Sequence, residues 1–223
     1  PWLGLENFQK FFGSYYFAEV LRNTIVLNLL ALCLSPLPIV LALMLNEVRS
    51  EKYRRAIQTM TYLPYFISIV VVVGMLKILF ASDGAAMQLI YAITGTRPQL
   101  LAEARYFRGM YLMMEVWGCT GYESIIYIAA MSSINPECIE AACVDGANRF
   151  QRMIHVTVPG IMSTIVILLI MRMGSMLGSG YETILLMQTG LNESVSETIQ
   201  TFVYKRGLQS SDFGYATAVG FFQ

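Results

Sequence analysis

The sequence predicts an all-α protein, a polytopic bundle of helices embedded in a membrane. Two features of composition and one of patterning carry this. Of 223 residues, 56% are hydrophobic and only 13% charged, with a mean hydropathy of +0.55, whereas soluble domains carry about a quarter charged residues. Aromatic residues make up 12%, as fits rings lining membrane–water boundaries. The apolar residues also fall in long runs, and about twenty residues are needed to cross a bilayer as a helix.

Ile25 to Leu45 is the first uncharged run, interrupted by Pro36 and Pro38. Prolines are tolerated in lipid where neighbouring helices or water satisfy the freed carbonyls, so a kinked, protein-buried helix is expected. A second run goes from Met60 to Phe80, with Lys77 near its far end, where the charge can snorkel to the interface. The third, Tyr111 to Met131, carries Glu115 and Glu123, and the fourth, from about Ile161 to Met187, carries Arg172 and Glu182. Hydropathy alone makes these two poor candidates. A fifth begins near Phe213 and is cut off at Gln223. The chain opens at Pro1 without a methionine, so the expectation is one membrane domain over 1–223, truncated at both ends, with about five spans here and six in the intact protein.

The segment between the first two spans holds Arg49, Lys52, Arg54 and Arg55. The positive-inside rule places it in the cytoplasm. Alternation then puts 81–108 outside, 132–160 inside and 188–212 outside. The outer loop 81–108 nevertheless holds three arginines, so the charge bias for this orientation is modest.

Each charge at a helix centre costs roughly 2.5–3.5 kcal/mol on insertion scales, so Glu115, Glu123, Arg172 and Glu182 are expected to face protein or water. They line a polar translocation pathway, or some of them sit near span ends and reach the interface. Gly174 and Gly178 form a G-x-x-x-G, and Ser175 and Ser179 repeat the spacing one step on. The expectation is a face for close helix packing, the alternative a flexible helix lining a pathway.

Several function classes are disfavoured. Net charge is zero, which removes nucleic acid as a default partner. Cys33, Cys119, Cys138 and Cys143 show no C-x-x-C spacing, and His155 is the sole histidine, so no metal site is expected. A phosphate-cradling G-x-x-x-x-G-K-[ST] does not occur.

Between the third and fourth spans lies a polar island, EAACVDGANRFQRMIHVTVPG at 140–160. Asn135 reads as an N-cap with Pro136 at the first helical position, and Glu137 and Glu140 fall where the helix dipole favours negative charge. Asp145-Gly146 is turn chemistry. A second amphipathic segment follows, with Phe150, Met153 and Ile154 apolar and Arg149 and Arg152 exposed, until Pro159 forbids continuation. A capped helix–turn–helix on the cytoplasmic face is built to dock into something.

The spacing Glu140-Ala141-Ala142, three residues, Gly146, nine residues, Val156, one residue, Val158-Pro159 resembles the EAA loop of ABC-importer permeases, with valine where isoleucine and leucine are usual. GLENFQKFF, DGANRFQRMIHVTVPGI, TIVILLIMRMGSMLGSGYETILLM and ETIQTFVYKRGLQSSDFGYATAVGFF resemble carbohydrate-importer permeases of the maltose-permease type, in the branch for polysaccharide-derived oligosaccharides. The resemblance implies the type I ABC-importer permease fold, in the bacterial cell membrane, with an EAA coupling loop at about 132–160. It implies that Glu140, Ala141, Ala142, Asp145, Gly146 and Pro159 seat this loop on a cytoplasmic ABC ATPase dimer. ATP is then used by that partner, and this chain needs no cofactor and performs no catalysis. A second permease subunit, a paralogue, and an extracellular solute-binding protein complete the expected assembly, surrounded by membrane lipid. Glu115, Trp117, Tyr122, Arg172, Tyr181 and Glu182 are the candidates for the pathway, since ring faces stack on pyranose C–H surfaces and charged groups bond hydroxyls. An importer permease for another solute class, an intramembrane enzyme and a channel are the rival readings; an enzyme needs a nucleophile–base pair that a single histidine makes hard to assemble.

Overall fold

A computed structural model describes residues 4–178 and 180–223. Every regular element among them is helical. After a short α1 (Glu6–Phe12), α2 (Tyr15–Cys33) and α3 (Pro36–Glu47) together form a 33-residue segment apolar enough to cross a membrane. At 1.5 Å per residue it spans about 50 Å. The expected first span therefore starts ten residues earlier, at Tyr15, because Tyr15 to Arg22 carry helix formers and no breaker. The break falls at Leu34–Ser35, just before Pro36 takes the first position of α3. Val20 and Leu27 of α2 and Ala42 and Leu45 of α3 are buried within the chain, whereas Ile25, Leu29, Val40 and Met44 face outward.

Met60–Phe80 is not a straight span. α4 (Glu51–Tyr62) runs into a 3-10 turn at Leu63–Phe66, and α5 (Ile69–Leu79) leaves it bent by 99°. Buried Pro64 has no N–H for a helical bond, which lets the chain turn there. α6 (Ala85–Thr94) follows, closed by Gly95 at φ 68. Next, α7 (Ala104–Met131) runs for 28 residues.

α8 (Pro136–Val144) and α9 (Arg149–Arg152) form the island, and α9 continues through a π turn at Met153–Thr157 into α10 (Val158–Gly160). Pro159 thus does not stop the segment. In the π turn Val158 N–H bonds back to the Met153 carbonyl, five residues away, and this widened turn accommodates the proline ring that an α-turn would exclude. The change of direction comes at Ile161, where α11 (Met162–Gly174) departs at 59°.

The run Ile161–Met187 is likewise two elements, because α11 ends at Gly174 and α12 (Tyr181–Met187) starts afresh after turns. Gly180 sits at φ 74, a left-handed conformation that ends helical propagation, and the Tyr111 hydroxyl fills the place of its missing Cβ. The G-x-x-x-G face expected at Gly174 and Gly178 is therefore absent: a Cβ at Gly174 meets open space, and Gly178 lies in a turn against the Gln200 and Gln223 amides. Ser179 lies outside the described residues. The chain ends with α13 (Glu193–Ser196), α14 (Ile199–Tyr204), a π turn at Lys205–Gln209 and α15 (Phe213–Phe222), which matches the expected fifth run.

Two compact units emerge. The first comprises Pro1–Ala31, Ile67–Met114 and Ser175–Gln223. Its main core gathers Leu27, Val72, Leu76, Phe107, Tyr111, Ile184 and Met187, and a second packs Phe11, Val20, Ile199, Phe202 and Tyr215. Buried Asn192 staples it internally, its amide donating to the Leu101 and Met187 carbonyls and its oxygen accepting from Thr189 N–H and the Ser196 hydroxyl. The second unit comprises Leu32–Phe66 and Glu115–Gly174, with Ala42, Leu43, Tyr127, Met131 and Ile161 as its core. Here α4 and α7 touch backbone to backbone. Gly121 lies so close to the Thr61 carbonyl that no Cβ fits between them.

Candidate functional site: a docking loop and a polar cluster

The docking loop is built by local capping. The Asn135 side chain accepts the Glu137 N–H at 3.0 Å, and Pro136 fills the first helical position, as the sequence predicts. Gly146 stands at φ 79 and closes α8, with Ala147 N–H bonding back to the Ala142 carbonyl. One signal went unread in the sequence: Asn148 and Gln151 form a reciprocal capping box at the start of α9, with bonds of 2.8 and 2.9 Å. The two short helices are thus each fixed at their ends while contributing no buried residue.

What this loop presents is unusual for a protein surface. Val144 is 87% exposed and Phe150 64%, with Ile139 and Ile154 also outward. Glu140, Ala141, Asp145 and Pro159 are exposed, and Ala142 is half-buried. Beneath the turn a cavity of about 300 Å³ is lined by Ala142, Asp145, Gly146, Arg152 and His155 among others, and a second of about 380 Å³ lies between Leu43, Met44, Glu47, Arg149, Phe150 and Met153. Arg149, exposed as expected, approaches Glu47 at 4.0 Å, and Arg152, half-buried, donates to the Cys143 sulfur. The capped helices thus hold exposed apolar groups on the surface of the loop, as protein-interaction surfaces often do.

The pathway candidates divide between the units. Glu115, Trp117, Tyr122 and Arg172 belong to the second, Tyr181 and Glu182 to the first. Within the second unit, Arg172 on α11 donates to Glu123 on α7 at 3.2 Å, with both side chains about a third exposed. Glu123, one of the four charges expected to face protein or water, is thereby the partner of Arg172. Glu115, Cys119 and Glu123 follow one another at four-residue spacing along α7 and so share one face of the helix. Tyr122 stacks face to face on Tyr65, centroids 3.7 Å apart and rings parallel to 1°, while Phe66 meets it edge-on. One face of Tyr122 is therefore occupied. Tyr65 and Phe66 were missed because they sit at the bend after α4, which hydropathy does not register. Trp117 is half-exposed on α7. In the first unit, Tyr181 borders an apolar groove of about 610 Å³ with Gln200 and Tyr204. Glu182 is exposed in the first turn of α12, where the helix dipole also accounts for it.

A further polar group carries no sequence signature. Lys205 bonds both Glu193 and Glu197, the latter at 2.7 Å, and Gln188 donates to Glu197 at 3.1 Å. Burial pushes the Glu197 carboxyl above its usual range, whereas the Lys205 bond holds Glu193 below it. Burial pulls Lys205 downward, but its two carboxylate bonds outweigh this and raise it.

A capped surface loop, bent apolar helices and a charge pair between two of them are features that fit a membrane transport component. Residues 35–222 match the family described as binding-protein-dependent transport system inner membrane component, and the chain belongs to that family. It is 43% identical to protein LplB of Bacillus subtilis (strain 168), over 100% of this chain and 70% of the relative. It is 40% identical to the polygalacturonan/rhamnogalacturonan transport system permease protein YteP of the same organism, with the same coverage. A crystal structure of a bacterial alginate ABC transporter, in complex with an alginate pentasaccharide-bound periplasmic protein, superposes with a TM-score of 0.95 at 40% identity, covering 99% of this chain and 77% of that one. The protein is thus a permease component of an ABC importer, located in the bacterial inner membrane.

Proposed function

We infer that this permease moves an oligosaccharide derived from a polysaccharide, using ATP hydrolysed by a separate cytoplasmic ATPase dimer. The observation that carries the substrate class is whole-chain similarity, at 40% identity, to a permease named for polygalacturonan and rhamnogalacturonan transport and to an alginate transporter. The polar cluster supports it: Arg172, Glu123 and Glu115 offer hydroxyl partners beside the Tyr65–Tyr122 stack, between otherwise apolar helix faces. Glu115, Trp117, Tyr122, Arg172, Tyr181 and Glu182 are proposed to line the route.

The docking loop at about 132–160, with Glu140, Ala141, Ala142, Asp145, Gly146 and Pro159, seats in a groove of the ATPase. Small Ala141 and Ala142 permit close approach, and exposed Glu140 can pair across the interface. Since α9, the π turn and α10 run on to α11 through one bend, movement of the loop reaches the Arg172 helix directly. ATP-driven closure of the ATPase then biases the membrane helices between inward- and outward-facing states. A second permease subunit and an extracellular solute-binding protein complete the importer.

The experiment is reconstitution of the complete importer in proteoliposomes, followed by uptake of labelled oligosaccharides. Saccharide-stimulated ATP hydrolysis with saccharide accumulation is expected. Transport of amino acids, peptides or ions in place of saccharides overturns the substrate class.

A further inference from the structure

Three arginines in the segment 81–108 run against the charge bias that orients the chain. The placement of two of them, Arg97 and Arg105, explains their presence. We propose that α6, with Arg97 and Arg105, is a lateral anchor lying in the phospholipid interface, its apolar side against acyl chains and its guanidinium groups on lipid phosphates.

The helix is ten residues long, too short to span a bilayer, yet it is apolar over most of its circumference. Met87 is its only buried residue. Leu89 and Ile93, one helical turn apart, are 67% and 84% exposed. Such a face has no favourable place in water, and its position is fixed at the end of an apolar helix. Gly84, which precedes α6, packs so tightly on the carbonyls of Ile78 and Leu79 that no Cβ fits, so the chain reverses as soon as α5 ends. Lys77, exposed in the last turn of α5, marks the same boundary.

Charge complementarity names the occupant. Arg97 lies 4.7 Å over the Tyr91 ring and Arg105 5.5 Å over the Tyr106 ring. Both guanidinium groups are exposed, and neither has a carboxylate partner among the described residues; Arg97 donates only to the Ser82 carbonyl. Glu103, the nearest acid in sequence to Arg105, accepts the Gln99 N–H instead. Arginine on tyrosine is an amphipathic pair suited to the headgroup layer, and the guanidinium fork binds phosphate with two bonds. Lipid phosphates supply the anions that the chain itself does not. Under the predicted orientation this is the outer leaflet, but the anchor requires only that α5 end at an interface.

The test uses the reconstituted importer, with Ile93→Cys labelled by bimane in a background where Cys33, Cys119, Cys138 and Cys143 are serine. Quenching by phospholipid spin-labelled high on its acyl chain should exceed quenching by aqueous iodide. Gln209→Cys, an exposed position, provides the aqueous control. The double substitution Arg97→Gln/Arg105→Gln should shift quenching from lipid towards iodide by up to about thirtyfold, as fits two surface cations at ~1 kcal/mol each near a membrane. Iodide quenching equal to that at Gln209 overturns the proposal, as does protection from both quenchers, which means that a protein partner covers the face. Lipid quenching unchanged in the double variant overturns the role of the arginines.

Discussion

Arg172 and Glu123, forty-nine residues apart on α11 and α7, hold each other at 3.2 Å within the second unit. A lone charge within an apolar helix is costly, so each helix benefits from the other's charge.

Arg172→Ala leaves Glu123 without its cation. Because both side chains are about a third exposed, solvent screens part of the loss, and a destabilisation on the order of 1–2 kcal/mol is expected. Oligosaccharide uptake should fall about tenfold, equivalent to ~1.4 kcal/mol, while the loop still binds the ATPase. Arg172→Met/Glu123→Leu should recover thermal stability but not uptake. Uptake at the wild-type level in the single variant would assign the pair to packing.

The docking loop gives a second outcome. Gly146→Pro forces φ from 79 to about −65 and deletes the N–H that bonds the Cys143 carbonyl. Glu140→Ala removes only an exposed charge. Both should lower saccharide-stimulated ATP hydrolysis, the proline variant more, with membrane insertion intact. Full stimulation in both counts heavily against ATPase docking here.

At Gly180 the conformation and the space both exclude a side chain. Gly180→Ala should lower stability by about 1–2 kcal/mol from the left-handed conformation alone, with more from the clash on Tyr111. Tyr111→Phe in the same chain should relieve only the second part, measured as a partial recovery of the thermal midpoint.

Lys205→Met leaves Glu193 and buried Glu197 facing each other. Burial already raises Glu197, and without the lysine its folded value climbs further above the unfolded one. A raised carboxyl binds its proton preferentially in the folded state, so stability is gained on acidification and lost as pH rises through the folded value. Between about pH 8 and pH 5 the variant should gain more thermal stability than the wild type, whose depressed Glu193 is already ionised throughout that window. Equal gains in the two proteins would remove Lys205 from control of this segment.

Much of the architecture was legible in the residues, for particular reasons. Asn135, Pro136 and Gly146 act within a few residues of themselves, so their cap, helix start and turn could be read locally. Hydropathy located the apolar segments but not their breaks. The break between α11 and α12 depends on a left-handed glycine seated against a tyrosine sixty-nine positions earlier in the sequence, and the bend after α4 on a proline whose helix could equally have kinked and continued. Pro159 misled in the opposite direction, since its effect depends on whether the preceding turn is α or π. Of the candidate site, single charges such as Arg172 stood out by their cost, whereas Glu123 as its partner and Tyr65 as the ring behind Tyr122 exist only once helices distant in sequence are brought together.

The contact of Gly121 on Thr61 has a mechanical consequence. With no room for even a methyl group between the two backbones, α7 cannot slip past α4 by a residue, because every neighbour of Gly121 would have to carry its own side chain through the same gap. The joint therefore acts as a registration point: it holds α4 and α7 to one alignment along their lengths, so any force carried between them at this level passes without slippage.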